Sequence, residues 1–377
     1  MLTHPTQHLS LNCAKRREAK LQQPELRILL VEDQDKNIET WQFAVNAHNA
    51  DATRLGFSIR TYYAKSLRQA EEALQCTKLD ALIVDLRLEA QPGVGEKNDD
   101  GNALVKSVAS SYPVSMIVVT GEKESADKEN YPSQVQVHSR DEGLDPVFKW
   151  LAGEKDLLLH LRTMRESIER ETAGIFFRSI WPRWKEWTRI PVDDVVASGL
   201  TRHVVAHVHD SLLHASGGAT HPEEAYFVPP LKDWLDTGDL ILEDSGEVWV
   251  VLTPRCDLGN ADKGIATVVL ARCSDISAGW SKLEGGGAGK KKEMGQLEQH
   301  GRTPKQHFLP RMLDDKRKSR GPWMAQFHDL RVMPIGEAKE TLPTKRLASL
   351  APQFLPSLVE RFGAYFSRIG SPNLSSD

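Results

Sequence analysis

Between residues 26 and 149 short apolar runs alternate with amphipathic stretches. The runs lie at 28–31 (ILLV), 57–63, 81–84 (ALIV), 116–119 and 135–137. Unbroken apolar runs of this length, bounded by polar segments, are the pattern of strands buried on both faces. Between them, SLRQAEEALQCT and DGNALVKSVASSY carry apolar positions at helical spacing, with Ser66 and Asp100 placed to cap them. Five strands with intervening helices predict a doubly wound parallel α/β sheet. Such a sheet binds ligands outside the carboxyl ends of its strands, where strand order reverses.

After residue 149 the pattern lengthens and then changes. In PVFKWLAGEKDLLLHLRTMRESIERETAGIFF, the residues Trp150, Leu157, Leu161, Met164 and Ile168 fall near heptad spacing and predict one long helix. That helix either packs on the second half of its own chain or pairs with a second copy. Trp181, Trp184 and Trp187 follow at intervals of three and are expected to anchor in the second core. VVASGLTRHVVAHVHDSLLHAS predicts a further helix. GDLILED, EVWVVLTP and IATVVLARC then predict short β-rich runs, which suggest an α+β domain containing a small antiparallel β-barrel. The tail LASLAPQFLPSLVERFGAYFSRIG is expected to be helical, with Phe362, Tyr365 and Phe366 in the core.

Composition narrows the class. A chain of 377 residues exceeds one ordinary core, so two domains are expected. The net charge of −4 announces no polyanion-binding half; Lys290 to Lys292 and Lys316 to Arg320 are local basic runs, read as solvated loops. Nucleic acid is therefore not an expected partner. Cys13, Cys76, Cys256 and Cys273 are widely spaced, without a CxxC pair, which fits a reduced, cytoplasmic protein. No stretch has the apolar length of a membrane span, and residues 1–25 read as a flexible leader without the apolar centre of a signal peptide.

The candidate chemistry sits at strand ends. Glu32 and Asp33 follow the first run, Asp85 the third, and Thr120 ends the fourth, so all four face one pocket. Converging carboxylates repel one another unless a cation lies among them, and an all-oxygen set without His or Cys favours Mg²⁺. In VED, IVDLRL and IVVTGE the chain resembles the receiver domain of two-component response regulators. The resemblance implies a flavodoxin-like receiver over residues 26–150. It implies Mg²⁺ held by Glu32, Asp33 and Asp85, phosphorylation of Asp85 by a histidine kinase or phosphotransfer protein, and Thr120 as the switch hydroxyl. The sequence departs from that pattern at Arg140, where a lysine is expected, at Val137 in place of an aromatic, and in the lengthened loop EAQPGVGEKNDDG after Asp85.

On this reading residues 151–177 form a helical connector, also able to dimerise the chain, and residues 178–377 an α+β output domain. TGDLI, EVWVVLTPRCDL and ATVVLARCSD are similar to the barrel of ribonuclease toxins of the MazF and PemK type. There an Arg-Pro pair precedes the central strand, whereas here Val248 and Trp249 stand in that place and Arg255 follows the strand. Arg255, Cys256 and Asp257 are the output-domain candidates, with the cysteine read as structural. A zinc site of Cys256, Cys273 and either His300 or His307 is an alternative. EGGGAGKKKEM fails the phosphate-loop pattern and reads as a basic surface loop.

Overall fold

The computed structural model describes residues 23–88, 100–189, 193–215, 220–259 and 266–368. The chain divides into two compact units, Met1–Leu212 and Leu213–Asp377.

In the first unit β1 (Glu25–Val31), β2 (Ser58–Ala64), β3 (Ala81–Val84), β4 (Ser115–Thr120) and β5 (Gln136–Ser139) form a parallel sheet of order β2-β1-β3-β4-β5. Alternation along β1 sends Leu26, Ile28 and Leu30 to one face, against Trp41 and Phe148, and Leu29 and Val31 to the other, against Leu74 and Leu104. Both faces are covered, so the run must be apolar at every position. The covering helices are α1 (Asp35–Ala50), α2 (Leu67–Cys76) and α3 (Asp100–Ser111). Ser66 caps α2, accepting from the Gln69 amide at 3.3 Å. Asp100 is the first residue of α3 rather than its cap.

The expected helix between β4 and β5 is absent. Residues 121–135 hold two single 3₁₀ turns, Lys123–Ser125 and Lys128–Asn130. The sequence GEKESADKENYPSQV has no apolar stripe with which a helix could dock, and Pro132 would end one. Asn102 of α3 pins the connection instead. Its amide donates to the Ser125 carbonyl at 3.0 Å, and its carbonyl accepts from the Asp127 amide at 3.1 Å and from the Tyr131 hydroxyl.

Helix α4 (Asp145–Ile175) starts before the predicted connector, because its first turns bury Val147, Phe148, Trp150 and Leu151 against the sheet. It runs on through a π turn, Phe176–Ile180. Helix α5 (Asp193–Ala215) returns beside it, with Ser211 donating to Glu171 at 2.6 Å. The tryptophans do not anchor a core: Trp181 and Trp184 are 60% and 46% exposed, and Trp187 meets His203 of α5 edge-on.

In the second unit β6 (Tyr226–Phe227), β7 (Asp239–Leu242), β8 (Val248–Val251), β9 (Thr267–Asp275) and β10 (Gln306–Leu309) are followed by four later strands. Of these, β11 (Met312–Leu313) and β12 (Ser319–Arg320) pair only with each other, whereas β13 (Trp323–Pro334) and β14 (Arg346–Leu350) enter the main sheet. Its order is β10-β13-β9-β8-β7-β14-β6, antiparallel throughout, with β10 and β6 left as edges. The expected small antiparallel β-barrel is thus met in general terms, as a curled half-barrel. Leu240, Val250 and Phe327 are buried on one face together with Leu358, and Ile241, Val251 and Leu270 on the other together with Ala338. Helices beneath both faces remove the need for the sheet to close on itself.

Two further expectations change. The tail is a strand, β14, followed by a helix, Leu355–Phe366, in which Phe366 is 60% exposed while Phe362 and Tyr365 pack on the core. The stretch EGGGAGKKKEM is not a loop beyond its glycines: Ala288–Glu298 is helical. No helix among the described residues is long and apolar enough to cross a membrane.

Candidate functional site

The carboxylates meet because the strands that carry them are neighbours. The Asp85 amide donates to the Val31 carbonyl at 2.9 Å and the Glu32 amide to the Ala64 carbonyl at 3.0 Å, so the ladder continues one residue past each strand end. Glu32 and Asp85 are 5% and 4% exposed. One carboxylate oxygen each from Glu32, Asp33 and Asp85 lies within 4.8 Å of the others. The sequence placed these three together, and the fold does the same.

Arg140 supplies the positive charge inside this cluster. It opens the 3₁₀ turn Arg140–Glu142 after β5, which Ser139 caps and Gly143 ends at a φ of 71°. One terminal nitrogen of its guanidinium lies 2.9 Å from Glu32 Oε2 and 2.8 Å from Asp85 Oδ2. Burial still outweighs this pairing. It pushes Glu32 up to about 7, with the Asp85 charge adding to the rise and Asn37, the Gln34 amide and Arg140 opposing it. Burial also raises Asp85 above the usual aspartate range, against the pull of Arg140.

Thr120, 1% exposed at the end of β4, accepts from the Glu122 amide at 3.2 Å. Glu122 in turn pairs with Arg87 beyond β3, and Lys123 with Glu142 beside Arg140. The segment after Thr120 is therefore tied to both neighbouring strand ends. Val137 sits on β5 as a partly buried aliphatic residue. Residues 89–99 of the lengthened loop lie outside the described residues.

Sequence reasoning missed Gly101 and Asn102. A Cβ on Gly101 would stand 2.4 Å from Leu86 Cα and 2.5 Å from the Asp85 carbonyl oxygen, so α3 approaches the backbone of Asp85 as only glycine permits. A glycine in the first turn of a predicted helix, DGNALV, was the available signal. Asn102 is 4% exposed, which a polar residue in a helix does not announce by itself.

In the second unit, Arg255, Cys256 and Asp257 belong to a short helix, Arg255–Gly259, after β8. Arg255 donates to Asp236 at 2.7 Å, and Asp236 also pairs with Lys232. Cys256 is exposed, contrary to its expected structural burial, with its thiol 3.5 Å from Asp257 Oδ1. Cys273 lies in the core among Val250, Trp323 and Phe327, where burial holds its thiol far above the usual range. His300 and His307 stack with ring centroids 4.5 Å apart. The zinc alternative fails: among the described residues Glu32, Asp33 and Asp85 are the one set of three metal-ligating side chains within mutual reach.

No family model matches the chain, and no curated protein matches it. Solved structures similar to about the first third of the chain include receiver domains. One is the signal receiver domain of an HD domain-containing protein from Pseudomonas fluorescens Pf-5, with 23% identity over 38% of this chain and 96% of that one, at a TM-score of 0.25. A second is the receiver domain of a sensor histidine kinase from Pseudomonas aeruginosa PAO1, with a magnesium ion coordinated in its active site cleft. It is 22% identical over 34% of this chain and 98% of its own, with a TM-score of 0.25. A third is the response regulator TrrA from Thermotoga maritima in complex with Mg²⁺ and BeF, 17% identical over 33% and 96%, with a TM-score of 0.22.

Proposed function

We propose that the first unit is a receiver that accepts a phosphoryl group on Asp85, and that the chain is a response-regulator-like signalling protein of the cytoplasm. The observation that carries this reading is the convergence of Glu32, Asp33, Asp85 and Thr120 at the carboxyl edge of a parallel sheet of order β2-β1-β3-β4-β5.

The donor set suits Mg²⁺: three carboxylate oxygens of Glu32, Asp33 and Asp85, close enough to share one hard cation and leave positions for water and phosphate. When bound, the ion would supply charge neutralisation between acceptor and phosphate. The chain's own residues do the rest. An Asp85 oxygen attacks phosphorus, the bond from phosphorus to the donor's nitrogen or oxygen breaks, and the donor leaves with the electron pair. Arg140 already reaches Asp85 at 2.8 Å and would turn its charge to the phosphoryl oxygens. Thr120 would donate its hydroxyl hydrogen to the phosphoryl group, and a side-chain turn that achieves this withdraws the acceptor from the Glu122 amide and loosens a segment joined to Arg87 and Ser125.

That last step redirects the signal. With no helix between β4 and β5, the moving surface is the pinned segment 121–135 and the turn before α4. A histidine kinase or phosphotransfer protein is the proposed donor, and the heptad-spaced residues Leu157, Met164 and Ile168 of α4, each more than 40% exposed, are the proposed dimer seam. The test is beryllofluoride binding with Mg²⁺, followed by titration calorimetry. Wild type is expected to bind and Asp85→Ala to bind nothing; absence of binding to wild type would remove the phosphoacceptor reading.

A further inference from the structure

Beside the acid cluster the first unit holds an apolar space. A cavity of about 700 Å³ lies between α1 and the turn that leads into α4. Leu30, Ile83 and Val119, one residue from each of three neighbouring strands, form its buried side. Its open side is apolar as well: Phe43 is 79% exposed, and Ala44 and Leu144 are half-buried. The space exists because the residues around it are small. Helix α1 presents Ala44 and Ala47 to it, and the turn presents Gly143, where longer side chains would fill it. Side chains normally pack without voids of this size, and cavities of roughly 300–1,000 Å³ with apolar walls are where small molecules bind.

At the strand ends its charged groups are already engaged. Arg140 bridges Glu32 and Asp85, and Glu142 pairs with Lys123. A charged ligand would have to displace one of these pairs, so the cavity suits an uncharged one. One polar group in the wall is unmatched. His48 is 6% exposed and stacks on Phe148, with ring centroids 5.2 Å apart. Its Nε2 lies 2.9 Å from the Phe57 carbonyl oxygen. A carbonyl only accepts, so Nε2 carries the hydrogen and Nδ1 of the neutral ring keeps a lone pair. Among the described residues that nitrogen has no hydrogen-bond partner. A buried acceptor left unmatched is costly, and a ligand hydroxyl would match it.

We infer that this cavity binds a small uncharged molecule with a cyclic apolar body and one hydroxyl. The body lies against Phe43, Ala44, Ala47 and Leu144, and the hydroxyl donates to His48 Nδ1. Such a ligand needs neither a metal ion nor a phosphoryl group, so the site is independent of the phosphoacceptor reading.

Titration calorimetry on the full, metal-free chain tests it with 2-naphthol, and with 2-methoxynaphthalene as a similar body that lacks the donor. 2-Naphthol is expected to bind one per chain, and the methoxy compound at least about fivefold more weakly, the fold-change of one net hydrogen bond. Ala44→Leu and Ala47→Leu extend side chains into the cavity while keeping a good helix former in α1. Each, once circular dichroism has checked its fold, is expected to weaken 2-naphthol binding by at least about tenfold. The comparison of the two probes on wild type stands whether or not the variants fold. The inference is overturned if 2-naphthol does not bind, if the methoxy compound binds as tightly, or if both folded variants bind like wild type.

Discussion

Two residues at the candidate site carry opposite consequences. Glu32 has its carboxyl raised from 4.5 to about 7 by burial and by Asp85. A carboxyl raised on folding keeps its proton in the native state over a range where the unfolded chain has lost it. The metal-free protein is therefore predicted to lose stability as pH climbs from about 4.5 to about 7. Glu32→Gln should flatten that slope and leave only the part due to Asp85, as urea unfolding at a series of pH values would reveal. Mg²⁺ affinity should strengthen over the same range, since proton and metal compete for one carboxylate. Arg140 acts in the other direction. Its guanidinium neutralises part of the repulsion among the acids, so Arg140→Gln is predicted to cost the metal-free protein about 3 kcal/mol, the usual penalty for stranding a buried charge. The same change should tighten Mg²⁺ binding, because the ion no longer shares the cluster with a fixed cation. Calorimetric Mg²⁺ titration of wild type and variant separates the two effects.

At the level of elements, α3 is the support on which the acceptor loop rests. Gly101→Ala drives a methyl into the backbone of Asp85 and Leu86, which cannot yield as a flexible side chain would. The predicted cost is about 1–3 kcal/mol in urea unfolding, together with weaker Mg²⁺ binding. Asn102→Ala should spare the sheet but release residues 121–135, seen as faster amide exchange confined to that segment. These contacts explain what the pattern of residues conveyed and what it withheld. β1, β3 and β4 were legible because burial on both faces demands unbroken apolar runs, and their order put Glu32, Asp85 and Thr120 on one edge. The connection between β4 and β5 was misread because its anchor is a polar side chain contributed from α3, which hydrophobic spacing cannot register. Arg140 was legible as a charge near the site, while its bridging of two carboxylates depended on a turn set by Ser139 and Gly143.

Across the whole molecule, the two units differ in how far their chemistry could be foreseen. The second was expected to hold a small antiparallel β-barrel, and its strand runs were correctly sensed; the sheet curls into a half-barrel without pairing β6 to β10, because helices take up both faces. Its most local consequence is acid sensitivity. Burial lowers His300 to about 4 and His307 to about 3, with Arg361 opposing the charged form of both. A histidine lowered on folding binds its proton more readily when unfolded, so this unit is predicted to weaken as pH falls from about 6.5 toward about 4. The first unit gains from Glu32 over part of the same range, so the amide protection factors of β10 should fall in mild acid while those of β1 do not. For the chain as a signalling protein, the most direct measurement is intact mass after incubation with Mg²⁺ and acetyl phosphate, for wild type and Asp85→Asn. One labile phosphoryl adduct is expected on wild type and none on the variant. An adduct that persists in Asp85→Asn, or none on wild type with Mg²⁺ saturating, would contradict it.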